Sequence, residues 1–167
     1  MPKITIKQHD ITDCGAACLA SISAHYKLET PIARIRQYAS TDKKGTNVLG
    51  LLEAAKKLGF EAKGVRGDFD SLYKIPKPAI AHIIVKERLQ HYVVIYEVTK
   101  SYVKIMDPGD GKFHKKSHEE FKKEWTGVLV LLLPNEEFTS RNEKVSVFKR
   151  FWFLLKPHKF VLVQAFF

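Results

Sequence analysis

The chain has 167 residues, of which 45% are hydrophobic and 28% charged, and this composition is typical of one folded domain with a sizeable core. The net charge of +10 would suit a nucleic acid, but residues 144–167 hold five Lys or Arg and no acidic residue, so half of the excess lies in this tail. Since no nucleic-acid motif is present, we predict no nucleic-acid partner. Two cysteines four residues apart exclude a disulfide framework and favour a reducing compartment, and residues 1–7 lack the apolar core of a secretory signal.

The first half of the chain is predicted to be mainly helical. Small and apolar residues predict three helices, over residues 14–27, over a short segment that begins at Pro31, and over residues 48–58. Asp13 is a suitable N-cap for the first helix and Asn47 for the third, which is expected to stop at Gly59. Residues 40–46 are polar and contain glycine, so they are predicted to form a loop.

The second half changes to the periodicity of strands. Alternating or continuous apolar runs predict five strands, over residues 60–65, 79–85, 89–98, 102–106 and 128–133. One short helix is predicted over residues 117–125, because Ser117 and Glu120 have the spacing of a capping box. The Lys/Glu mixture over residues 115–123 is interpreted as a solvated helix face. The pattern predicts an α+β fold, in which an N-terminal helical half packs on an antiparallel sheet.

Cys14 is the leading candidate for a nucleophile, although a lone cysteine is most often a small buried hydrophobe. A thiol in the first turn of a helix lies at the positive end of the helix dipole, which favours the nucleophilic thiolate. Gln8 lies six residues upstream and can return a side-chain amide to the same place, and His91 and Asp107 follow far downstream. A thiol, an imidazole, a carboxylate and an amide donor are the groups that a papain-like cysteine peptidase uses.

These residues also have plainer interpretations. His91 alternates ambiguously with its apolar neighbours, and His82 on the preceding strand is a rival for the role of base. Asp107 precedes a proline, where Asp is commonly a turn residue, and Asp110 is a weaker competitor. Cys18, one turn further along the first helix, is expected to be structural. The histidines do not have the spacing of zinc ligands, so no metal site is predicted.

Several stretches together resemble one known family. They are the run from Gln8 to Cys14, Gly45-Thr46, the strand with His91, Asp107-Pro108, and Glu124-Trp125-Thr126-Gly127. In order and approximate spacing they are similar to the N-terminal peptidase domain of bacterial peptidase-containing ABC transporters. Members of that family process and export bacteriocins, lantibiotics or quorum-sensing peptides with double-glycine leaders. The resemblance covers about residues 5–135.

The resemblance implies a papain-like mechanism. It makes Cys14 the nucleophile, His91 the general base and acid, Asp107 the group that orients the imidazole, and Gln8 an oxyanion-hole donor. The peptidase domain would need no cofactor, since ATP and Mg²⁺ would serve only a nucleotide-binding domain, whose Gly-rich phosphate loop this sequence does not contain.

The implied reaction is endopeptidase cleavage of a bacteriocin- or lantibiotic-type precursor after a Gly-Gly pair, coupled to ATP-driven export. The leader is expected to bind as an amphipathic helix in an apolar groove, for which Leu51 and Tyr92 are candidates. Two alternatives stay open: a transporter module that binds the leader without cutting it, and a papain-like hydrolase of another specificity. The presence of Cys14 argues against the first of these.

Three segments are predicted along the chain: a peptidase domain over residues 1–135, a polar linker over residues 136–146, and a basic, aromatic and finally apolar segment over residues 147–167. The last segment is interpreted as an amphipathic stretch with the truncated start of a transmembrane region, or alternatively as an amphipathic helix packed on the domain. The resemblance implies a homodimeric transporter in the bacterial cytoplasmic membrane, with the peptidase domain facing the cytoplasm.

Overall fold

A computed structural model of the chain describes residues 3–42, 45–86 and 88–143. Three helices come first, α1 (Cys14–His25), α2 (Ile32–Tyr38) and α3 (Val48–Lys57). The elements that follow are β1 (Phe60–Arg66), β2 (Ala79–Val85), β3 (Leu89–Val98), β4 (Val103–Asp107), β5 (Lys112–Lys116), α4 (His118–Glu124) and β6 (Trp125–Pro134). The predicted α+β arrangement, with a helical first half on an antiparallel sheet, is confirmed.

The six strands form one antiparallel sheet in the order β1-β6-β2-β3-β4-β5. Strand β6 comes last in the chain but lies between β1 and β2, so the sheet depends on contacts between residues far apart in sequence. Helices α1, α2 and α3 cover one face, and α4 covers the other together with a 3₁₀ turn over Asp70–Tyr73. Successive side chains of β3 point to opposite faces of the sheet. Tyr92 lies in the core under α1, α2 and α3, and Val93 lies in the core on the α4 side.

Helix α1 forms the centre of the helical layer, and all 12 of its residues are buried. Its residues are small or apolar on every side, which is typical of a helix that the core encloses. The helix packs on β3 and against α2 and α3. Its first residue, Cys14, is therefore held beside the strand that carries His91.

Local capping signals are largely confirmed. Asn47 accepts a hydrogen bond from the first turn of α3, and that helix ends before Gly59, which has a positive φ of 87°. Ser117 and Glu120 form the predicted capping box of α4. Pro31 stands one position earlier than predicted, because its extended backbone makes it the N-cap of α2 and the helix begins at the next residue.

The prediction that the Asp13 side chain caps α1 is wrong. A 3₁₀ turn over Ile11–Asp13 precedes the helix, so Asp13 already has helical backbone angles and its carboxylate makes no cap hydrogen bond with α1. Instead the carboxylate accepts a hydrogen bond from the backbone N–H of Asp10 at 3.1 Å. Asp10 in turn accepts from the backbone N–H of Thr12. The Asp13 carboxylate therefore stabilises the turn before Cys14 rather than the helix itself.

The interpretation of residues 115–123 as one solvated helix face is wrong at its beginning. Residues Lys112–Lys116 form β5 at the edge of the sheet, where they pair with β4, and helix α4 starts only at His118. Sequence periodicity missed this strand because it is short and mostly charged. Lysines are common on edge strands, where they discourage pairing with another chain.

Residues 135–143, which include most of the predicted linker, lie along the helical layer. The ring of Phe138 packs on that of Phe60, with the centroids 4.8 Å apart. Residues 144–167, which hold the end of the linker and the predicted membrane-directed segment, lie outside the described residues, and the division into three segments stays a prediction. Among the described residues, no helix combines the length and the apolar character that crossing a bilayer requires.

Candidate active site

His91 and Asp107 lie side by side on neighbouring strands. His91 is near the start of β3, Asp107 ends β4, and His91 Nε2 is 2.7 Å from Asp107 Oδ1. The backbone N–H of Gly109 donates a second hydrogen bond, of 2.8 Å, to the same oxygen. A Cβ at position 109 would stand only 3.0 Å from Asp107 Oδ1, so a larger residue there would push against the carboxylate that holds His91. Sequence reasoning missed Gly109, although an Asp-Pro-Gly run is a turn signal that could have indicated it.

The surroundings favour a charged imidazole facing a carboxylate. Burial alone would lower the pKa of His91, but hydrogen bonds with Asp107 and Cys14, together with the negative charges of these groups, raise it to about 9. Burial also opposes ionisation of Asp107, yet the hydrogen bonds from His91 and the Gly109 N–H hold the pKa of Asp107 below its usual value. At neutral pH the pair is therefore an imidazolium and a carboxylate.

Cys14 opens α1 and is only 6% exposed. Its thiol is near enough to His91 to contribute to the raised pKa of that ring. Because Asp107 occupies Nε2, the ring nitrogen that remains for the thiol is Nδ1. The three predicted groups thus form one chain of contacts, thiol to imidazole to carboxylate. Cys18, one turn further on, is fully buried, and burial raises its pKa well above the usual value, so it remains a neutral core thiol.

Gln8 reaches the same region from the N-terminal segment. Its backbone N–H donates to the carbonyl of Pro108 at 2.8 Å, which ties this segment to the turn after Asp107. Its side-chain Oε1 is buried, and no described residue offers it a hydrogen bond. A buried amide end without a partner is uncommon, and its oxygen and nitrogen exchange places by a simple rotation. The Gln8 side-chain amide is therefore available to form a hydrogen bond with a bound ligand.

His82 takes no part in this chain of contacts. Its Nδ1 lies 3.0 Å from Thr126 Oγ1, and that hydroxyl donates its own hydrogen to the His82 carbonyl at 3.1 Å, so the network assigns the ring hydrogen to Nδ1. Burial lowers the pKa of His82, and the positive charge of His91 lowers it further, so the ring is neutral. Asp110, the weaker carboxylate candidate, pairs instead with the exposed His114 at 2.9 Å.

A cleft of about 460 Å³ opens near the start of α1, and Thr46, His82 and Tyr92 are among the residues that line it. Thr46 and Tyr92 are also neighbours of Gly15, where a Cβ would meet their side chains at 3.3 and 3.4 Å. The cleft therefore adjoins the residue that follows Cys14 in α1.

The two groove candidates from the sequence are placed differently. Tyr92 lines the cleft, and burial raises its pKa to about 12, so its hydroxyl stays protonated. Leu51 is fully buried in the core, so its assignment to a ligand groove is corrected: helical spacing selected a residue on the inner side of α3. On the same helix Leu49 is 64% exposed, so a ligand can reach its side chain.

A cysteine at the start of a buried helix, next to a His–Asp pair on an antiparallel sheet, is the arrangement of the papain-like cysteine peptidases. The fold and the site thus define the class. Residues 3–137 match the Peptidase C39 family, and the chain belongs to this family of cysteine peptidases.

Curated relatives are much longer than this chain. It is 40% identical to the lactococcin-G-processing and transport ATP-binding protein LagD of Lactococcus lactis subsp. lactis over 168 aligned residues. This alignment covers 99% of this chain and 24% of LagD. It is also 40% identical to the pediocin PA-1 transport/processing ATP-binding protein PedD of Pediococcus acidilactici over 134 aligned residues. This alignment covers 78% of this chain and 18% of PedD. The chain spans about a quarter or less of the length of these relatives.

Two solved structures have the same fold. The peptidase domain of Streptococcus ComA, a bi-functional ABC transporter of a quorum-sensing pathway, has a TM-score of 0.75 at 40% identity and covers 80% of this chain and 100% of that one. A double glycine motif protease from an AMS/PCAT transporter, solved with its leader peptide, has a TM-score of 0.73 at 34% identity and covers 78% of this chain and 91% of that one. These similarities confirm the predicted papain-like fold.

Proposed function

We propose that this domain removes the leader of a bacteriocin- or lantibiotic-type precursor peptide by cutting after a Gly-Gly pair. The observation that carries the proposal is the chain of contacts from the Cys14 thiol through His91 to Asp107. The substrate class is supported by the relatives, which are named as processing and transport proteins, and by the similar protease solved with a leader peptide.

At the start of the first half-reaction His91 already carries, on Nδ1, the proton that the Cys14 thiol has given up, and the thiolate attacks the carbonyl carbon of the second glycine. The oxygen of that carbonyl becomes an oxyanion, which the Cys14 backbone N–H and the Gln8 amide stabilise. His91 then donates its proton to the leaving nitrogen, the peptide bond breaks, and the leader remains bound to Cys14 as a thioester. Asp107 holds the ring and stabilises its positive charge throughout.

In the second half-reaction water replaces the departed peptide. His91 takes a proton from this water while its oxygen attacks the thioester carbonyl. The tetrahedral intermediate collapses, the bond to sulfur breaks, and the leader leaves with a free carboxylate. The proton on His91 returns the site to its starting state, so the two steps together hydrolyse one peptide bond.

The double-glycine specificity is supported by the similar double glycine motif protease, which was solved in complex with a leader peptide. We further propose that the apolar face of a helical leader lies on the exposed side chain of Leu49 at the start of α3.

For the whole protein we propose a homodimeric peptide exporter in the bacterial cytoplasmic membrane, with this domain on the cytoplasmic side. The relatives' names as transport ATP-binding proteins support this context. In this proposal residues 1–135 are the peptidase, 136–146 the linker and 147–167 the approach to the membrane, and only the exporter part uses ATP and Mg²⁺. The peptidase uses no cofactor, so cleavage by this chain is expected to be unchanged by a metal chelator.

The proposal is tested by incubating the chain with a precursor that carries a double-glycine leader and reading the products by mass spectrometry. We expect one cut after the second glycine, no cut by Cys14→Ala, and retained cleavage by Cys18→Ala, which removes the other thiol of the same helix. A precursor with valine in place of the second glycine should stay intact, because the proposed specificity requires a residue without a side chain at the cut.

Two results would overturn the proposal in different directions. Binding of the precursor without any cut would point to a module that only tethers the leader. Cleavage that is indifferent to the valine substitution would point to a papain-like hydrolase of another specificity.

A further inference from the structure

A buried carboxylate that the mechanism does not use stands directly before the nucleophile. Asp13 is 1% exposed and occupies the position before Cys14 in the chain. Carboxylates are almost never fully buried unless they are paired, because removing a charge from water is costly. The partners of Asp13 therefore show what the carboxylate does.

Two contacts hold the Asp13 carboxylate. Oδ2 accepts the backbone N–H of Asp10 at 3.1 Å, which closes the turn before α1. Oδ1 lies 2.8 Å from Arg36 Nη1 on α2, as an ion pair without the straight geometry of a hydrogen bond. The carboxylate thus joins the turn, the start of α1 and the neighbouring helix α2 at one point.

This position is electrostatically sensitive. The start of α1 offers a positive dipole end that favours the Cys14 thiolate, whereas the Asp13 carboxylate makes no hydrogen bond with the first turn of this helix. An unpaired negative charge on Asp13 would oppose a second negative charge nearby, whether on the Cys14 thiolate or on the oxyanion of the substrate. Arg36 supplies the positive charge that cancels it.

We propose that the Asp13–Arg36 ion pair is a positioning device for the nucleophile: it fixes the turn that presents the Cys14 thiol and backbone N–H, and it cancels a negative charge beside the thiolate. The proposal rests on the proposed function, in which these two groups of Cys14 do the chemistry. Asp13 and Arg36 are positioning residues, since they act through Cys14 and not on the substrate.

The chain contains a matched control for this ion pair. Arg34, on the same helix, pairs with Glu143 at 2.9 Å, and its side chain is 43% exposed while that of Glu143 is 9% exposed. The corresponding exposures of Arg36 and Asp13 are 38% and 1%. The two pairs therefore resemble each other in distance and in burial, but only the Asp13 pair adjoins Cys14.

The test compares Arg36→Gln with Arg34→Gln in the same chain. Alkylation of Cys14 by iodoacetamide is measured as a function of pH, with Cys18→Ala as background so that a single thiol is followed. Arg36→Gln should move the pH midpoint of alkylation upward by about one unit and lower kcat about tenfold or more, with KM little changed. Arg34→Gln should change none of these quantities.

Two further variants separate charge from fold. Arg36→Lys keeps the charge and should restore the midpoint, while Asp13→Asn combined with Arg36→Gln removes both charges and should also restore most of it. Asn at position 13 keeps a side-chain oxygen for the Asp10 N–H, so the turn can still close. Circular dichroism confirms that each variant is folded before its rates are compared.

Among the described residues, the other ionisable groups that interact with Cys14 are His91 and Tyr92 on β3 and Cys18 on α1. His91, its partner Asp107 and Tyr92 are unchanged in the Arg36 and Asp13 variants, and Cys18 is replaced by alanine in all of them. A shifted midpoint can therefore be assigned to the ion pair.

The proposal is overturned if Arg36→Gln alkylates with the wild-type midpoint, or if Arg34→Gln shifts the midpoint by the same amount. Because alkylation needs no peptide substrate, its result is independent of the proposed function. A shifted midpoint without precursor cleavage would reject the leader-peptidase function and leave the positioning role in place. Cleavage of the precursor with an unshifted midpoint in Arg36→Gln would reject the positioning role and leave the leader-peptidase function in place.

Discussion

Two regions of the sheet each place a histidine against a hydrogen-bonding partner on the next strand, and they differ in the charge of that partner. In the first region His91 on β3 contacts the carboxylate of Asp107 on β4 at 2.7 Å. In the second region His82 on β2 contacts the hydroxyl of Thr126 on β6 at 3.0 Å. The pKa of His91 is raised to about 9, whereas that of His82 is lowered.

The difference teaches that the partner, and not burial, assigns the roles of the two histidines. Burial acts in the same direction on both rings, against the imidazolium. Only His91 has negative groups that reverse this effect, and its positive charge then lowers the pKa of His82 further. His91 is thus charged and next to the thiol, while His82 is neutral and lines the cleft.

The largest expected effect concerns Gln8, which belongs to the His91 region alone. Replacing an oxyanion-hole donor typically costs about 10²–10³ in kcat, and we expect this loss for Gln8→Ala with KM little changed. Steady-state cleavage of a double-glycine precursor measures it. The neighbouring His9→Ala, at an exposed position, should cleave at the wild-type rate. A change in KM alone would show that the amide binds substrate without stabilising the oxyanion.

The second effect comes from giving His91 a neutral partner, as His82 has. In Asp107→Asn the pKa of His91 should fall from about 9, and kcat/KM at pH 8 should fall roughly 10²-fold, because the imidazolium that protonates the leaving nitrogen is lost. In the unaltered chain kcat/KM should decline only as pH rises through about 9. NMR titration of the ring and a pH–rate profile measure both, and Asp110→Asn is the control.

The same substitution changes how stability depends on pH. A folded-state pKa above the unfolded value near 6.5 stabilises the fold fully below that pH, and the contribution disappears as pH rises through about 9. The unfolding free energy of the unaltered chain should therefore fall across this window, and that of Asp107→Asn should fall less. Parallel slopes in denaturant titrations would contradict the assigned role of the carboxylate.

The smallest effect comes from the reverse exchange, which gives His82 a charged partner. In Thr126→Asp the pKa of His82 should rise by about one unit or more, while kcat changes less than tenfold, because His82 does not contact the thiol. Thr126→Val, which removes the hydroxyl without adding charge, should leave the pKa of His82 below its usual value. A carboxylate at position 126 that leaves this pKa unchanged would refute the explanation by partner charge.

Much of the fold could be predicted because the signals are local. Asn47 at the start of α3 and the Ser117–Glu120 box of α4 are hydrogen bonds between residues three apart, so they form wherever the chain turns into a helix. Strand β5 was missed because charged residues dominate it and its pairing with β4 supplies the order. Leu51 was misplaced because periodicity finds the apolar side of a helix without showing whether a ligand or the core covers it.

The sequence by itself determined which chemical groups are available and in what order: an amide, a thiol at a helix start, an imidazole and a carboxylate before a turn. Only the tertiary structure decided which histidine faces the thiol, that the Asp13 carboxylate turns to Asp10 and Arg36, and that Leu49 rather than Leu51 is exposed. The physical reason is that these choices depend on strand order and on how α1 and α2 pack. Such contacts join residues far apart in the chain, and local periodicity does not encode them.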